Sequence, residues 1–280
     1  MKKLLRVSLA TLALVPMEGS LALARGWHAV QSHQTTGSKT TQKSELYYAR
    51  DKLRINADND KTSVVVDIDS GKFTFLDHPR KRYASITFEE LVALRDRTIA
   101  EMKAQLPKMP PAIRQSIEER LKALEDPKAQ AAPKLKPLGK KTRIGKFDCE
   151  RYAWDSADGS GEACISKKPG VDITEFVKAS GKLSKRLAKL GAGSAAGDMA
   201  ILQLAEYGLP VETRRKLSFA GSEVETTTTI TSLETAEVPD SQFAAPKDYG
   251  AETFEDLMRS QSQPTAGPTP APAPSPAPTK

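Results

Sequence analysis

The chain contains few of the residues from which catalytic and metal sites are most often built. Its 280 residues include three histidines, two cysteines and two tryptophans. The sequence has no H-x-H, no HExxH and no cysteine–histidine spacing suited to zinc. It also lacks G-x-S-x-G, a P-loop and a Rossmann fingerprint. We therefore expect no metal, no cofactor and no enzymatic activity.

The sequence also lacks an apolar run of the roughly twenty residues that a membrane-spanning helix needs. The apolar segment Val7 to Val15 is short, and Pro16 and Glu18 follow it. A basic start before this segment and an A-x-A pattern at Ala22–Ala24 are typical of a cleaved signal peptide. Residues 1–24 are thus predicted to be removed, which places the protein in the periplasm or outside the cell. No cysteine stands near the cleavage site, so we expect no lipoprotein processing.

Charge of one sign is not concentrated in the chain. The predicted signal peptide carries three cations and one carboxylate, so its removal lowers the net charge from +7 to +5. This mild excess suits an anionic membrane surface. Nucleic acid is not an expected partner, because the chain has an export signal and no nucleic-acid-binding motif.

The C-terminal segment is nearly free of charge and of large apolar residues. Seven prolines lie between Pro264 and Pro278. Such a composition cannot bury a core and favours extended, disordered chain. We predict a disordered tail at residues 260–280 and a single folded domain at residues 25–259.

The stretch Ser63–Ile86 is predicted to form three antiparallel strands joined by tight turns. Ser70-Gly71 suits a two-residue hairpin turn, with the glycine supplying a positive φ. This turn would place Ile68 opposite Phe73 and Val66 opposite Phe75, with all four on one face. The result is a sheet with one apolar side that must be covered or occupied.

Three further strands are predicted before this meander, and helices after it. The pattern T-x-x-E at Thr87–Glu90 indicates a capping box that opens a helix to about Leu106, and a second helix extends to Leu124. The proline- and lysine-rich segment Asp126–Gly139 is predicted to be a linker. A second capping signal at Asp172 opens a helix to Leu190.

Two more hairpins are predicted in the second half of the chain. The first turns around Asp158-Gly159. The second turns at Ala220-Gly221, which pairs Leu217 with Val224 and Val211 with Ile230. The predicted fold class is therefore α+β: a single curved, mostly antiparallel sheet of nine to eleven strands, forming a half-open barrel with two helical inserts.

The polar groups that resemble a site have simpler explanations. Asp67 and Asp69 lie on one face of a predicted strand, which we expect to be solvated. His28 and His33 are five residues apart, so they should point to opposite faces, and His78 falls in a turn.

The two cysteines, Cys149 and Cys164, are predicted to form a disulfide, because the chain is exported and their number is even. A symmetric turn at Asp158-Gly159 would leave them too far apart along the strands. A bond therefore requires an asymmetric or bulged loop, with the turn nearer Ser156-Ala157 and Cα atoms within about 7 Å.

The helix Asp172–Leu190 is amphipathic and basic. One interpretation is that it packs its apolar stripe on its own domain; the other is that it lies on an anionic membrane. A helical moment alone does not separate these two interpretations.

The order of elements and three passages, Tyr48–Ile55, Val66–Lys72 and Val238–Tyr249, resemble the LolA-like half-barrel superfamily of exported bacterial proteins. The closest likeness is to an uncharacterised exported family within or near it. The resemblance covers roughly Arg25 to Tyr249 and rests on structural motifs, so it transfers no binding residue. It implies a curved sheet around helices, with a concave face that takes acyl chains or other lipids.

Two functions follow as hypotheses. The first is a non-enzymatic envelope protein that binds a lipid or other apolar ligand between the curved sheet and the helices. The second is a protein-interaction or structural envelope module with a self-filled core. For the first, the predicted ligand-contacting residues are Val66, Ile68, Phe73, Phe75, Val211, Leu217, Val224 and Ile230.

Overall fold

One twelve-stranded sheet forms the protein in the computed structural model, which describes residues 23–57, 60–125, 134–156, 159–187, 204–219 and 222–262. The strand order is β12-β6-β5-β4-β3-β2-β1-β11-β10-β9-β8-β7, and only β12 pairs in parallel. The sheet is curved and not closed, and the fold class is α+β as predicted. The strands are β1 Leu23–Thr35, β2 Gln42–Ala49, β3 Lys52–Ala57, β4 Thr62–Asp67, β5 Lys72–Asp77, β6 Arg82–Thr87, β7 Lys134–Ile144, β8 Phe147–Ser156, β9 Gly159–Ser166, β10 Leu209–Phe219, β11 Ser222–Pro239 and β12 Gly250–Ala251.

Four α-helices lie within the described residues: α1 Phe88–Gln105, α2 Pro111–Glu125, α3 Thr174–Leu187 and α4 Phe254–Ser262. The predicted capping box opens α1, with Thr87 accepting from the backbone of Glu90. Asp172 accepts a hydrogen bond from the Thr174 backbone at the start of α3. Both helical inserts thus start where the sequence predicted them. Residues 188–190, at the predicted end of α3, lie outside the described residues.

The predicted register of the central meander is wrong by two residues. Val66 pairs with Phe73 and Val64 with Phe75. The loop is longer than two residues. Asp67 stabilises this longer loop, because its Oδ1 accepts a hydrogen bond from the Ser70 backbone N–H at 3.0 Å. Gly71 has a φ of 68°, as the turn required. A shift of two keeps every side chain on its predicted face.

The predicted linker Asp126–Gly139 is wrong where the structure describes it, because β7 begins at Lys134. β7 pairs only with β8 among the described strands, and its register shifts between Pro137 and Lys141. Gly139 lies in this irregularity with a φ of 66°. Proline, lysine and bulges are tolerated in an edge strand, where the outer backbone groups need no partner. This strand and the two-residue β12 bring the total above the predicted nine to eleven.

The hairpin β8–β9 carries the predicted disulfide between Cys149 and Cys164, whose Cα atoms are 5.4 Å apart. Ser156 pairs with Gly159, so the turn lies one residue earlier than Asp158-Gly159. That single step brings the cysteines into diagonal positions. The ladder is regular from Glu150 to Ser156, and the loop residues 157 and 158, on which the expectation of an asymmetric or bulged loop falls, lie outside the described residues.

The long hairpin β10–β11 has the predicted pairing of Leu217 with Val224. Its continuous ladder starts at Glu212 opposite Thr229, one residue short of the predicted Val211–Ile230 pair. β11 continues past the predicted end at Ile230, and its residues 226–239 pair with the whole of β1, with one register shift at Val30/Gln31. The first strand and the last long strand of the chain therefore lie side by side in the middle of the sheet.

Helix α4 was not predicted from the sequence, and it extends the folded region from the expected residue 259 to Ser262. Thr253 caps it by accepting from the Asp256 backbone at 3.1 Å. The pattern T-x-x-D ahead of Phe254 and Leu257 was the signal that could have revealed it. Residues 1–22 of the predicted signal peptide and the tail from residue 263 lie outside the described residues. The last two residues of that predicted peptide, Leu23 and Ala24, begin β1 and pair with Pro239 and Val238.

Candidate functional site

The apolar face predicted to hold a ligand is buried in one core cluster. Five of the eight predicted residues, Val66, Ile68, Phe73, Val211 and Ile230, are at most 4% exposed and belong to it. Phe75 is half-buried and packs against the same cluster. Val224 is half-buried, and the Leu217 side chain is outside the description. The residues predicted to share one apolar face therefore do lie in one core, while their contact with a ligand stays a prediction.

Helix α3 covers this face. Its ring of Phe176 lies edge-on to Trp27 at 5.0 Å and to Tyr48 at 5.2 Å between centroids. Leu183 and Leu187 are buried in the same cluster. These aromatic and aliphatic contacts are those of an ordinary protein core.

Polar contacts fix α3 to the loop between β4 and β5. The guanidinium of Arg186 donates to the carbonyl oxygens of Ile68 and Asp69 at 2.8 and 3.0 Å. Lys182 contacts Asp69 at 2.9 Å and Asp51 at 3.8 Å. Helix α3 thus contacts the β4–β5 loop, whose extra length accounts for the error in the predicted register.

The basic helix therefore packs on its own domain, which was one of the two interpretations of its sequence. Its apolar stripe is buried, and its exposed lysines are partly neutralised: Lys178 contacts Glu175 at 2.8 Å. In this position α3 presents charge, and no apolar stripe, to an anionic membrane.

Helices α1 and α4 cover the other end of the apolar face. Phe254 of α4 packs on Phe75 of β5 with ring centroids 5.0 Å apart, and Leu257 is fully buried. Half-buried Leu91, Val92 and Leu94 of α1 pack against the same cluster.

Helices α1 and α2 are less deeply packed than α3. Among its described side chains, Phe88, Ile99 and Leu121 are buried. Ile113 of α2 is 53% exposed. No helix among the described residues has the length and apolar character that crossing a bilayer requires.

A polar cluster occupies one end of the strands β1 and β2. His33 contacts the Ser44 hydroxyl at 2.6 Å and the Thr228 hydroxyl at 2.9 Å, and Ser44 donates to Gln31 at 3.4 Å. His28 stacks on Tyr47 instead, so the two histidines point to opposite faces as predicted. Because these donors and acceptors bond to one another, the cluster has the character of a structural network.

A second network joins the meander to the segment after β11. The Ser63 hydroxyl donates to Asn56 Oδ1 at 2.8 Å and lies 2.6 Å from His78 Nε2. His78 Nδ1 lies 2.7 Å from the Tyr249 hydroxyl. Since Ser63 uses its proton on Asn56, His78 donates from Nε2 and accepts from Tyr249 at Nδ1. Burial and the neighbouring Arg54 lower the pKa of His78, which favours this neutral form.

This serine–histidine pair is not arranged for nucleophilic catalysis. Ser63 is 1% exposed, so a substrate has no access to its hydroxyl. Arg54 completes the network by donating to Asn56 at 2.6 Å and to the carbonyl of Gln242 at 2.9 Å. The result holds residues 240–249 against the sheet.

The candidate carboxylate pair is separated in the structure. Asp67 caps the β4–β5 loop and Asp69 binds Lys182, so each has a structural partner. No group of three or more potential metal-ligating side chains occurs among the described residues.

An open cleft of about 780 Å³ lies over one end of β7, β8 and β9. Cys149 and Ile165 contribute apolar surface to it. Its charged lining residues are Lys141, Arg143, Lys167, Lys168, Asp148 and Glu150. Lys167 contacts Glu150 at 3.6 Å, and Arg143 approaches Asp148 at 3.9 Å. Four cations thus face two carboxylates, which gives the cleft a positive balance.

One known family model matches part of the chain. Residues 112–249 match the model of a family described as "Domain of unknown function (DUF4412)", just under half of the chain. The match ends at Tyr249, the residue that binds His78, and it omits strands β1–β6. No curated protein is similar to the chain in sequence.

Several solved structures are similar to the chain at low sequence identity. PNGF-II is 10% identical with a TM-score of 0.43, over 84% of this chain and 32% of that one. The chain thus spans about a third of PNGF-II. MucB in complex with MucA(peri) is 12% identical with a TM-score of 0.36, over 82% and 57%.

A LolA superfamily protein from Nitrosomonas europaea is 5% identical with a TM-score of 0.28, over 80% of this chain and 91% of that one. The sequence predicted a resemblance to an uncharacterised family near the LolA-like superfamily; the matched family is one of unknown function, and this LolA superfamily protein is among the similar structures. Because these TM-scores are below 0.5, the description of the fold rests on the sheet itself.

Proposed function

We propose that the protein is an exported, non-enzymatic interaction module of the cell envelope whose core is filled by its own helices. The observation that supports this most directly is the cover over the apolar face. Val66, Ile68 and Phe73 are at most 1% exposed, in one cluster with α3. A face that is packed in this way supplies stability, and the surfaces left for function are outside it.

Export is supported by two features of the chain. Residues 1–24 have the pattern of a signal peptide. The disulfide between Cys149 and Cys164 suits an oxidising compartment. The proposed location is accordingly the periplasm or the medium.

An apolar ligand is the second candidate, and the partial exposure of helices α1 and α2 supports it. Leu91, Val92 and Leu94 are only half-buried, and Ile113 is more than half exposed. A lipid or other acyl chain under helix α1, with the helix lifting as a lid, would cover Leu91, Val92 and Leu94. In this alternative the ligand enters between the sheet and α1.

Native mass spectrometry of protein purified from its own envelope separates the two candidates. A self-filled module carries no lipid, and its melting temperature does not change on delipidation. A co-purified lipid would overturn the first proposal in favour of the second.

A fluorescence titration provides an independent check. Phe75→Trp places a reporter beside Phe254, and Leu138→Trp places a matched one on the exposed edge strand β7. We expect neither variant to show a saturable change with fatty acid, after subtraction of the wild-type signal. A saturable change in Phe75→Trp alone would assign a lipid to the space under the helices.

A further inference from the structure

Of the two edges of the described sheet, the one formed by β7 carries more lysine and arginine. Residues 134–144 contain four lysines and one arginine, and no carboxylate. Among the described strands, β7 pairs with β8 alone, so the sheet ends there. Residues 136–141 are exposed. An edge of this kind presents unpaired backbone donors and acceptors to solvent.

The bulge around Gly139 divides β7 into two regular stretches. The second, Lys141–Ile144, pairs residue by residue with Phe147–Glu150. A regular stretch of this kind is a template on which another extended chain adds a strand. The other sheet edge differs, because β12 and α4 already cover β6.

The cleft of about 780 Å³ lies next to this stretch, and its cationic side chains lie on one face of the sheet beside the β7 edge. Lys141 pairs with Glu150, which pairs with Ile165, so these three lie in one row across the sheet. Arg143 and Asp148 form the next row. Lys141 and Arg143 therefore share a face, two residues apart, and both line the cleft.

We propose that the edge of β7 at Lys141–Ile144 binds an extended acidic segment of a partner protein by strand addition. This inference rests on the proposed function as an interaction module and names its surface. Carboxylates two residues apart on the added strand face Lys141 and Arg143, while the backbones pair. Further acidic residues meet Lys167 and Lys168 across the cleft.

Charge selects this occupant over a second copy of the chain. Two β7 edges brought together would oppose ten cations without a carboxylate between them, and like charges directly opposite are destabilising. Lipid headgroups and other polyanions match the charge, but they have no backbone to satisfy the edge. The regular ladder thus favours a peptide.

The test is a fluorescence anisotropy titration of the full chain with a labelled peptide of alternating glutamate and valine. We expect saturable binding that weakens as salt rises. Lys141→Glu with Arg143→Glu should weaken it by about tenfold or more. The matched control, Lys39→Glu with Lys43→Glu, changes net charge equally at exposed positions near the β1–β2 turn and should leave binding within about twofold. If the first double variant fails to fold, Lys141→Gln with Arg143→Gln replaces it.

A second peptide tests the backbone pairing. The same sequence with an N-methyl group on every residue retains its charge and loses all of its backbone donors, so we expect it not to bind. Equal binding of the two peptides, or displacement of the first by anionic vesicles or heparin at equal charge, would overturn strand addition. Absence of any binding would overturn this surface while leaving the interaction module intact, whereas a lipid in the native mass spectrum would remove the module itself.

Discussion

The hydroxyl of Tyr249 lies 2.7 Å from Nδ1 of His78, although 171 residues separate the two in the chain. This contact joins the C-terminal segment to the turn between β5 and β6. Lys81 and Asp248 form an ion pair at 2.8 Å beside it, and β12 pairs with β6 directly afterwards. The segment thus holds the edge of the meander and leads α4 onto the apolar face.

Tyr249→Phe removes one hydrogen bond from this network without removing the ring. We expect it to lower the free energy of unfolding by about 1–2 kcal/mol, because a half-buried acceptor on His78 is left unpaired. Urea denaturation measures this loss. The control is Tyr207→Phe, at a residue that is 44% exposed, with an expected change below about 0.5 kcal/mol. Equal effects of both substitutions would contradict a special role for the Tyr249 hydroxyl.

The lowered pKa of His78 predicts a pH dependence of stability. Burial, then the charge of Arg54, lowers this pKa from its usual 6.5, so the unfolded chain binds a proton more readily than the folded one. The stabilisation is complete above about pH 6.5 and decreases as the pH falls below it.

His78→Gln should abolish this component of the pH dependence. Denaturation at about pH 7.5 and about pH 5 measures it, and the wild type should lose more stability than the variant between the two. Parallel losses in both proteins would show that carboxylates alone cause the change.

Phe176 tests whether the apolar face is a packed core. Phe176→Ala removes the ring that contacts both Trp27 and Tyr48, and we expect a loss of about 3–5 kcal/mol. The control Ile113→Ala, on the exposed side of α2, should cost less than about 1 kcal/mol. A small loss for Phe176→Ala, measured by denaturation, would mean that α3 separates from the sheet at little cost and would favour a ligand site.

The sequence predicted the sheet, the two helical inserts and the residues of the core, because alternation and capping patterns are local. It misplaced features that depend on contacts distant in sequence. Ile68 leaves the meander ladder because its backbone bonds to Asp51 and its carbonyl to Arg186 of α3. β7 was mistaken for a linker because its lysines and proline suit solvent, and only its pairing with β8 makes it a strand. The His78–Tyr249 contact has no local signal at all.

Removal of the disulfide should destabilise the β8–β9 hairpin. Cys149→Ala with Cys164→Ala opens a crosslink with a sequence separation of 15, and we expect a loss of about 3 kcal/mol. Reductant should lower the melting temperature of the wild type similarly and leave that of the variant unchanged. An equal response to reductant in both proteins would exclude the disulfide as its cause.

Two truncations test which C-terminal residues contribute to the stability of the folded domain. Removal of residues 263–280 takes away the proline-rich segment predicted to be disordered, and we expect the melting temperature to stay within about 1 °C of that of the full chain.

Removal of residues 254–280 also deletes α4, with the fully buried Leu257 and the contact of Phe254 on Phe75. Loss of these two side chains should cost at least about 3 kcal/mol and expose the apolar face. Phe254→Ala with Leu257→Ala in the full chain should reproduce most of that loss, which assigns it to packing. A fall of several degrees on removing only residues 263–280 would instead show that the proline-rich segment packs on the domain.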